Sequence, residues 1–191
     1  MQDGFHWLNE PAAWDGNASR LRLTTDAKTD FWRETFYGFI RDSGHAWLRP
    51  VDGDFSASAT FTGGYEALYD QAGLFLRVDE SNWIKAGIEF TDGLMHFSVV
   101  VTRGVSDWSV IPLPEAGPAD AISVRLTRHG DAVRVQYSVS GGAWAMARLC
   151  PFSPASADVG VMACSPERQG FRAEFRDIAI GPPIARALHA D

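Results

Sequence analysis

The stretch Gln71–Trp108, QAGLFLRVDESNWIKAGIEFTDGLMHFSVVVTRGVSDW, can pair with itself in very few ways. Asp92-Gly93 sits between two runs of alternating apolar residues, and this dipeptide accepts the positive φ values of a two-residue type I′ turn. Closing the loop there sets Thr91 against Leu94. Counting outward, Phe90 faces Met95, Ile88 faces Phe97, Ala86 faces Val99 and Ile84 faces Val101, all apolar. The alternate pairs are Glu89 with His96, Gly87 with Ser98, Lys85 with Val100 and Trp83 with Thr102. A slip of one residue would exchange the two faces, so this segregation predicts the register.

The preceding strand must obey the same rule. Ala72, Leu74, Leu76 and Val78 join the apolar face only if the loop before Trp83 has an odd number of residues, and Asp79-Glu80-Ser81 supplies three. Leu76 then meets Ile84, Leu74 meets Ala86, and Ala72 meets Ile88. Three adjacent strands thus gather Gln71, Arg77, Trp83, Lys85, Glu89, His96 and Ser98 on one surface. The opposite surface, with Ile84, Ala86, Ile88 and Phe90 against Met95, Phe97 and Val99, is predicted to be core.

The same grammar runs through the rest of the chain. LRLTT near the start, the alternating Phe55–Thr62 segment, the runs around Ile122–Leu126 and Val133–Val139, AWAMARL, DVGVMAC and FRAEFRDIAI all read as strands separated by turn residues. SVIPLPEAGPADA is too rich in Pro and Gly to be a central strand throughout. With almost no amphipathic helix, the pattern predicts an all-β sandwich, with a closed barrel as the alternative. A length of 191 residues suits one domain, expected over 1–183, with a loose tail at 184–191.

Composition excludes several functions. Seventeen basic residues against twenty-four acidic ones, with no basic cluster, argue against nucleic-acid and anionic-membrane surfaces. No apolar run is long enough to span a bilayer, and MQDGFHWLNEPAAW lacks the regions of an export signal. Cys150 and Cys164 form neither a disulfide framework nor a metal motif, so free thiols and a cytoplasmic location are expected. His45, after Asp42-Ser43-Gly44, could approach the groove from a loop; His6, His129 and His189 show no ligand spacing, and no metal or cofactor is expected.

TDFW (29–32), QAG (71–73), WIKAGIEF (83–90), SVVVT (98–102), SDWS (106–109) and ACSP (163–166) closely resemble the DUF1349 family, also called the regulation-of-enolase family, over about residues 20–180. The resemblance implies a concanavalin A-like jelly-roll β-sandwich of two antiparallel sheets, within the lectin/glucanase superfamily, and supplies no catalytic residues to carry across. It also suggests a regulatory role. WIKAG is similar to a Y-F-K-A-G strand of alginate lyases of this general fold, whose Q-I-H and R-T-E-L-R motifs are absent here. The E-x-D-x-x-E strand of laminarinase-like jelly rolls is missing too, and glycosidase chemistry needs a second carboxyl group beside Glu89.

The expected site is therefore a carbohydrate-binding groove of Gln71, Trp83, Lys85, Glu89, His96, Ser98, Asp107 and Trp108 on the concave sheet. Indole rings would stack on sugar C–H faces, and the carboxylates and Gln71 would take hydroxyl groups. The ordinary alternative is an ion-pair network on a solvated sheet. From other classes come an intracellular regulatory protein acting through protein contacts, and a lyase or epimerase using Glu89, Lys85 or His96.

Overall fold

The computed structural model describes residues 4–188; His189 and the other residues at 1–3 and 189–191 lie outside the described part. In chain order the strands are β1 (His6–Leu8), β2 (Ala13–Asn17), β3 (Arg20–Thr24), β4 (Phe31–Arg33), β5 (Ile40–Asp42), β6 (His45–Val51), β7 (Phe55–Gly63) and β8 (Gln71–Asp79). There follow β9 (Asn82–Thr91), β10 (Leu94–Arg103), β11 (Val105–Pro112), β12 (Ile122–His129), β13 (Ala132–Val139), β14 (Ala145–Pro151), β15 (Ala157–Cys164) and β16 (Arg172–Gly181). Two seven-stranded antiparallel sheets result, ordered β1-β6-β15-β8-β9-β10-β11 and β14-β13-β12-β7-β16-β3-β2, with β4-β5 as a separate hairpin.

The central register is the one the alternation demands. Phe90 pairs with Met95, Ile88 with Phe97, Ala86 with Val99 and Ile84 with Val101. Asp92 and Gly93 both have positive φ, 53° and 76°, as a type I′ turn requires. On the other side Leu76 pairs with Ile84, Leu74 with Ala86 and Gln71 with Glu89. The connection differs from the expected three-residue loop. Asp79 pairs with Asn82 across Glu80-Ser81, and a bulge between Arg77 and Asp79 absorbs the odd residue.

The inner faces of both sheets share one core, in which Leu74, Ile84, Ile88 and Phe97 meet Phe61, Val124, Val135 and Phe175. Phe90 is only half-buried, because it stands near the end of β9 where the sandwich opens. Pro112 closes β11 at the sheet edge, the place in a sheet that tolerates proline. Residues 184–187, expected to be loose, lie on the outer face of the second sheet: Ile184 N donates to Ser56 Oγ at 3.0 Å and Arg134 donates to Ala187 O.

The outer face of the first sheet is not a solvated surface. It carries a second core of Phe75, Trp83, Val100, Met162 and Cys164, closed from above by Phe31 and Trp32 of β4. Phe31 stacks on Phe75 at 4.4 Å, and Trp83 lies 5.7 Å from Phe75. Both cysteines are buried free thiols, and burial drives the Cys164 thiol well above its ordinary pKa.

Beside this second core the paired glycines Gly73 and Gly87 let the two strands approach closely. A Cβ on Gly87 would stand 2.1 Å from Ala72 O, and one on Gly73 would stand 2.2 Å from Ala86 O. Backbone cannot yield as a flexible side chain does. Gly87→Ala is therefore expected to cost about 1–3 kcal/mol of stability in a urea titration, as overpacking in a rigid core does.

Candidate functional site

The site lies where the aromatic cap stops. Beyond Trp83, the outer face of β9 presents Lys85, Gly87 and Glu89, with Gln71 of β8 and Ser98 of β10 beside them. Lys85 is buried. Its Nζ donates to Gln71 Oε1 at 2.7 Å and to Asp30 Oδ1 at 3.2 Å. Gln71 Nε2 reaches the same Asp30 oxygen at 3.4 Å. Burial alone would lower the Lys85 pKa, but the charges of Asp30 and Glu89 outweigh it and hold the ammonium above its ordinary value.

Asp30 comes from the base of the β4-β5 hairpin, where its carboxylate also accepts Phe31 N at 2.8 Å and its carbonyl accepts Ser43 N and Gly44 N. The hairpin is pinned at two further points. Arg77 makes a bidentate pair with Asp42 at 2.6 and 2.9 Å, and Arg33 donates to Ser106 Oγ and Gly104 O at 2.9 Å.

Glu89 is also buried. Ser98 Oγ donates to its Oε2 at 2.7 Å and accepts the Trp108 indole N–H at 3.0 Å. Burial pushes the Glu89 carboxyl above its ordinary pKa, against the opposing pull of Lys85 and the Ser98 hydroxyl.

Over these groups lies a cavity of about 150 Å³, walled by Trp32, Tyr37, Phe39, Tyr69 and Trp108 and floored by Asp30, Gln71, Lys85 and Glu89, with Pro166 and Glu167 at its rim. Trp32 meets Trp108 edge to face at 6.3 Å, and Tyr69 meets Trp108 at 6.4 Å. The Tyr37 and Tyr69 hydroxyl groups hydrogen-bond at 3.1 Å across the opening. That bond, with burial, raises the Tyr69 pKa.

Of the expected site residues, Gln71, Lys85, Glu89 and Trp108 line this cavity, and Ser98 supports two of them from a crevice below. Three do not join. Trp83 has no exposed surface, because Phe31 and Phe75 enclose its ring, so it cannot stack on a ligand. Asp107 shares the parity of Val101 and turns to the sandwich edge, where Arg148 donates to it at 2.5 Å. His96 pairs with Glu89 in register, but its ring is buried with Nδ1 3.3 Å from Leu94 O. His45 is likewise a clasp, its Nδ1 bonded to Asn9 O and its Nε2 accepting Asp26 N.

Asp30, Trp32, Tyr37, Phe39, Tyr69 and Glu167 were absent from the expected set. Asp30 and Trp32 stood in the TDFW motif, and Trp32, Tyr37 and Phe39 in the aromatic-rich run at 31–39, whereas Tyr69 and Glu167 carried no signal. Among the described residues no group of His, Cys, Asp and Glu could hold a metal ion.

Residues 7–183 match the family DUF1349, described as a protein of unknown function. The chain is 44% identical over 185 residues to regulation of enolase protein 1 of Saccharomyces cerevisiae, covering 96% of this chain and 92% of that protein. A crystal structure of a functionally unknown protein from Saccharomyces cerevisiae superposes with a TM-score of 0.90 at 41% identity, covering 96% of this chain and 98% of the other. The xyloglucan GH43B protein of Bacteroides ovatus shares the fold at 16% identity with a TM-score of 0.69, over 91% of this chain and 35% of its own. The architecture is thus a concanavalin A-like jelly roll, as expected.

Two stability measurements test the electrostatics. Lys85→Met should destabilise the fold by about 3–5 kcal/mol, since it leaves Asp30 and Gln71 desolvated without their donor. Glu89 has a folded pKa above its unfolded one, so the folded state holds the extra proton between the two values. Stability from this group is greatest at low pH and falls as pH rises from the ordinary glutamate range through the raised value. Unfolding curves across that window should show the decline in wild type and its absence in Glu89→Gln.

Proposed function

The chain belongs to the DUF1349 family, and on that premise we propose that it binds one saccharide unit, or a related polyhydroxylated small molecule, in the cavity between the aromatic cap and the Lys85–Glu89 face. The observation that carries this reading is the pairing of an aromatic wall with a polar floor. Trp108 is 37% exposed and offers a ring to sugar C–H faces. Below it, Gln71, Lys85, Asp30 and Glu89 present both donors and acceptors to hydroxyl groups.

Size narrows the ligand. Pockets for drug-sized molecules span roughly 300–1,000 Å³, and this one is about half the lower bound at about 150 Å³. It suits a single ring or a chain end, not an oligosaccharide laid along an open groove. Buried free thiols support a cytoplasmic setting for such binding.

A second reading has its own observation. Phe36 is 93% exposed, and with Val105 it lines an adjoining open cleft of about 670 Å³ that shares Trp32, Tyr37 and Trp108 with the first cavity. Exposed aromatic surface of this kind supports a protein contact, and the name of the yeast relative points to regulation.

The two readings separate by mutation. With glucose, galactose, mannose and xylose as probes in calorimetry, Trp108→Ala should weaken whichever sugar binds by about tenfold or more, a stacking loss of over 1 kcal/mol. Affinity unchanged in Trp108→Ala would remove the saccharide reading of this cavity. Phe36→Ser should leave sugar binding and melting temperature unchanged, and it should abolish a stoichiometric protein complex if the cleft is a protein interface.

A further inference from the structure

The charges around the cavity are unequal. Asp30, Glu89 and Glu167 bring three carboxylates to it, while Lys85 is the one cation among the described residues that line it. That cation is already engaged by Asp30 Oδ1 at 3.2 Å and Gln71 Oε1 at 2.7 Å. Glu89 on the floor and Glu167 at the rim remain. Glu167 is exposed and makes no ion pair among the described residues. The neighbouring arginines are committed elsewhere: Arg168 clamps Asp70, and Arg41 lies over the Phe39 ring at 4.5 Å without lining the cavity.

Aromatic walls add to this polarity. The faces of Trp and Tyr rings carry negative potential and attract an ammonium group, most strongly where water is excluded. We propose that the cavity selects an amino sugar, a hexose bearing a protonated amine, over neutral and anionic sugars. This rests on the saccharide reading of the same cavity and specifies its ligand class. A quaternary ammonium ion without hydroxyl groups would offer no acceptor to the third N–H of Lys85 or the second N–H of Gln71, whereas a hydroxylated ring does. A hexuronate would bring its carboxylate against Glu89 and Glu167.

The test uses the full chain in titration calorimetry, at a pH that keeps the amine protonated. D-glucosamine, D-galactosamine and D-mannosamine are each compared with the parent hexose, the N-acetyl derivative and the uronate. In the series whose ring fits, the hexosamine should bind about tenfold more tightly than the hexose, the scale of one partly desolvated cation contact. The N-acetyl derivative should lose that advantage, and the uronate should not bind. Glu167→Gln should shrink the gap between hexosamine and hexose.

Equal affinity for hexosamine and hexose overturns the selectivity and leaves saccharide binding standing. So does a uronate that binds most tightly, or a gap unaltered in both Glu167→Gln and Glu89→Gln. Absence of binding in all three series removes both conclusions.

Discussion

A buried ammonium group cannot stand alone, and in this protein Lys85 determines what must cover the sheet. Its position in β9 is imposed by the alternation that also buries Ile84 and Ala86, so the side chain has no choice of face. Removing it from water calls for a counter-charge. The first sheet supplies the Gln71 carbonyl, and Asp30 must come from the hairpin base more than fifty residues earlier in the chain. Seating Asp30 brings Phe31 and Trp32 down on Phe75 and Trp83, and the outer face becomes a second core.

The first sheet thus has apolar cores on both faces, yet only part of its outer face is dry. Where Phe31 and Trp83 meet, hydrocarbon contact excludes ligand and water alike. One residue pair further along β9, the cap thins to a ring of aromatic side chains standing over Lys85 and Glu89. The closely apposed Gly73 and Gly87 backbones leave the floor between those two charged groups without a side chain. The boundary between core and cavity is therefore a boundary between side-chain types on one strand, Trp83 on one side and Lys85 and Glu89 on the other.

Much of this could be read directly from the residues. The Asp92-Gly93 turn and strict alternation dictated every pair between β9 and β10, since any slip would put charge into the main core. They likewise placed Gln71, Lys85, Glu89 and Ser98 on one surface. What alternation cannot say is whether that surface is wet. Trp83 shows why: a tryptophan among polar neighbours on an outer face reads as a ligand platform until a separate hairpin is found lying on it. Asp107 shows the converse, because its carboxylate has a partner, Arg148, on a strand of the other sheet.

Local sequence by itself determined strands β3, β7–β10 and β12–β16, the register of β8–β10 and the division of those strands into two faces, because these follow from backbone geometry and a period of two. Tertiary structure alone decided that Asp30 meets Lys85, that Trp83 is core, and that Trp32, Tyr37 and Tyr69 wall a cavity beside Trp108. Those contacts join segments tens of residues apart through the cap. No short-range periodicity records them, and they exist only once the burial of Lys85 has called its partner into place.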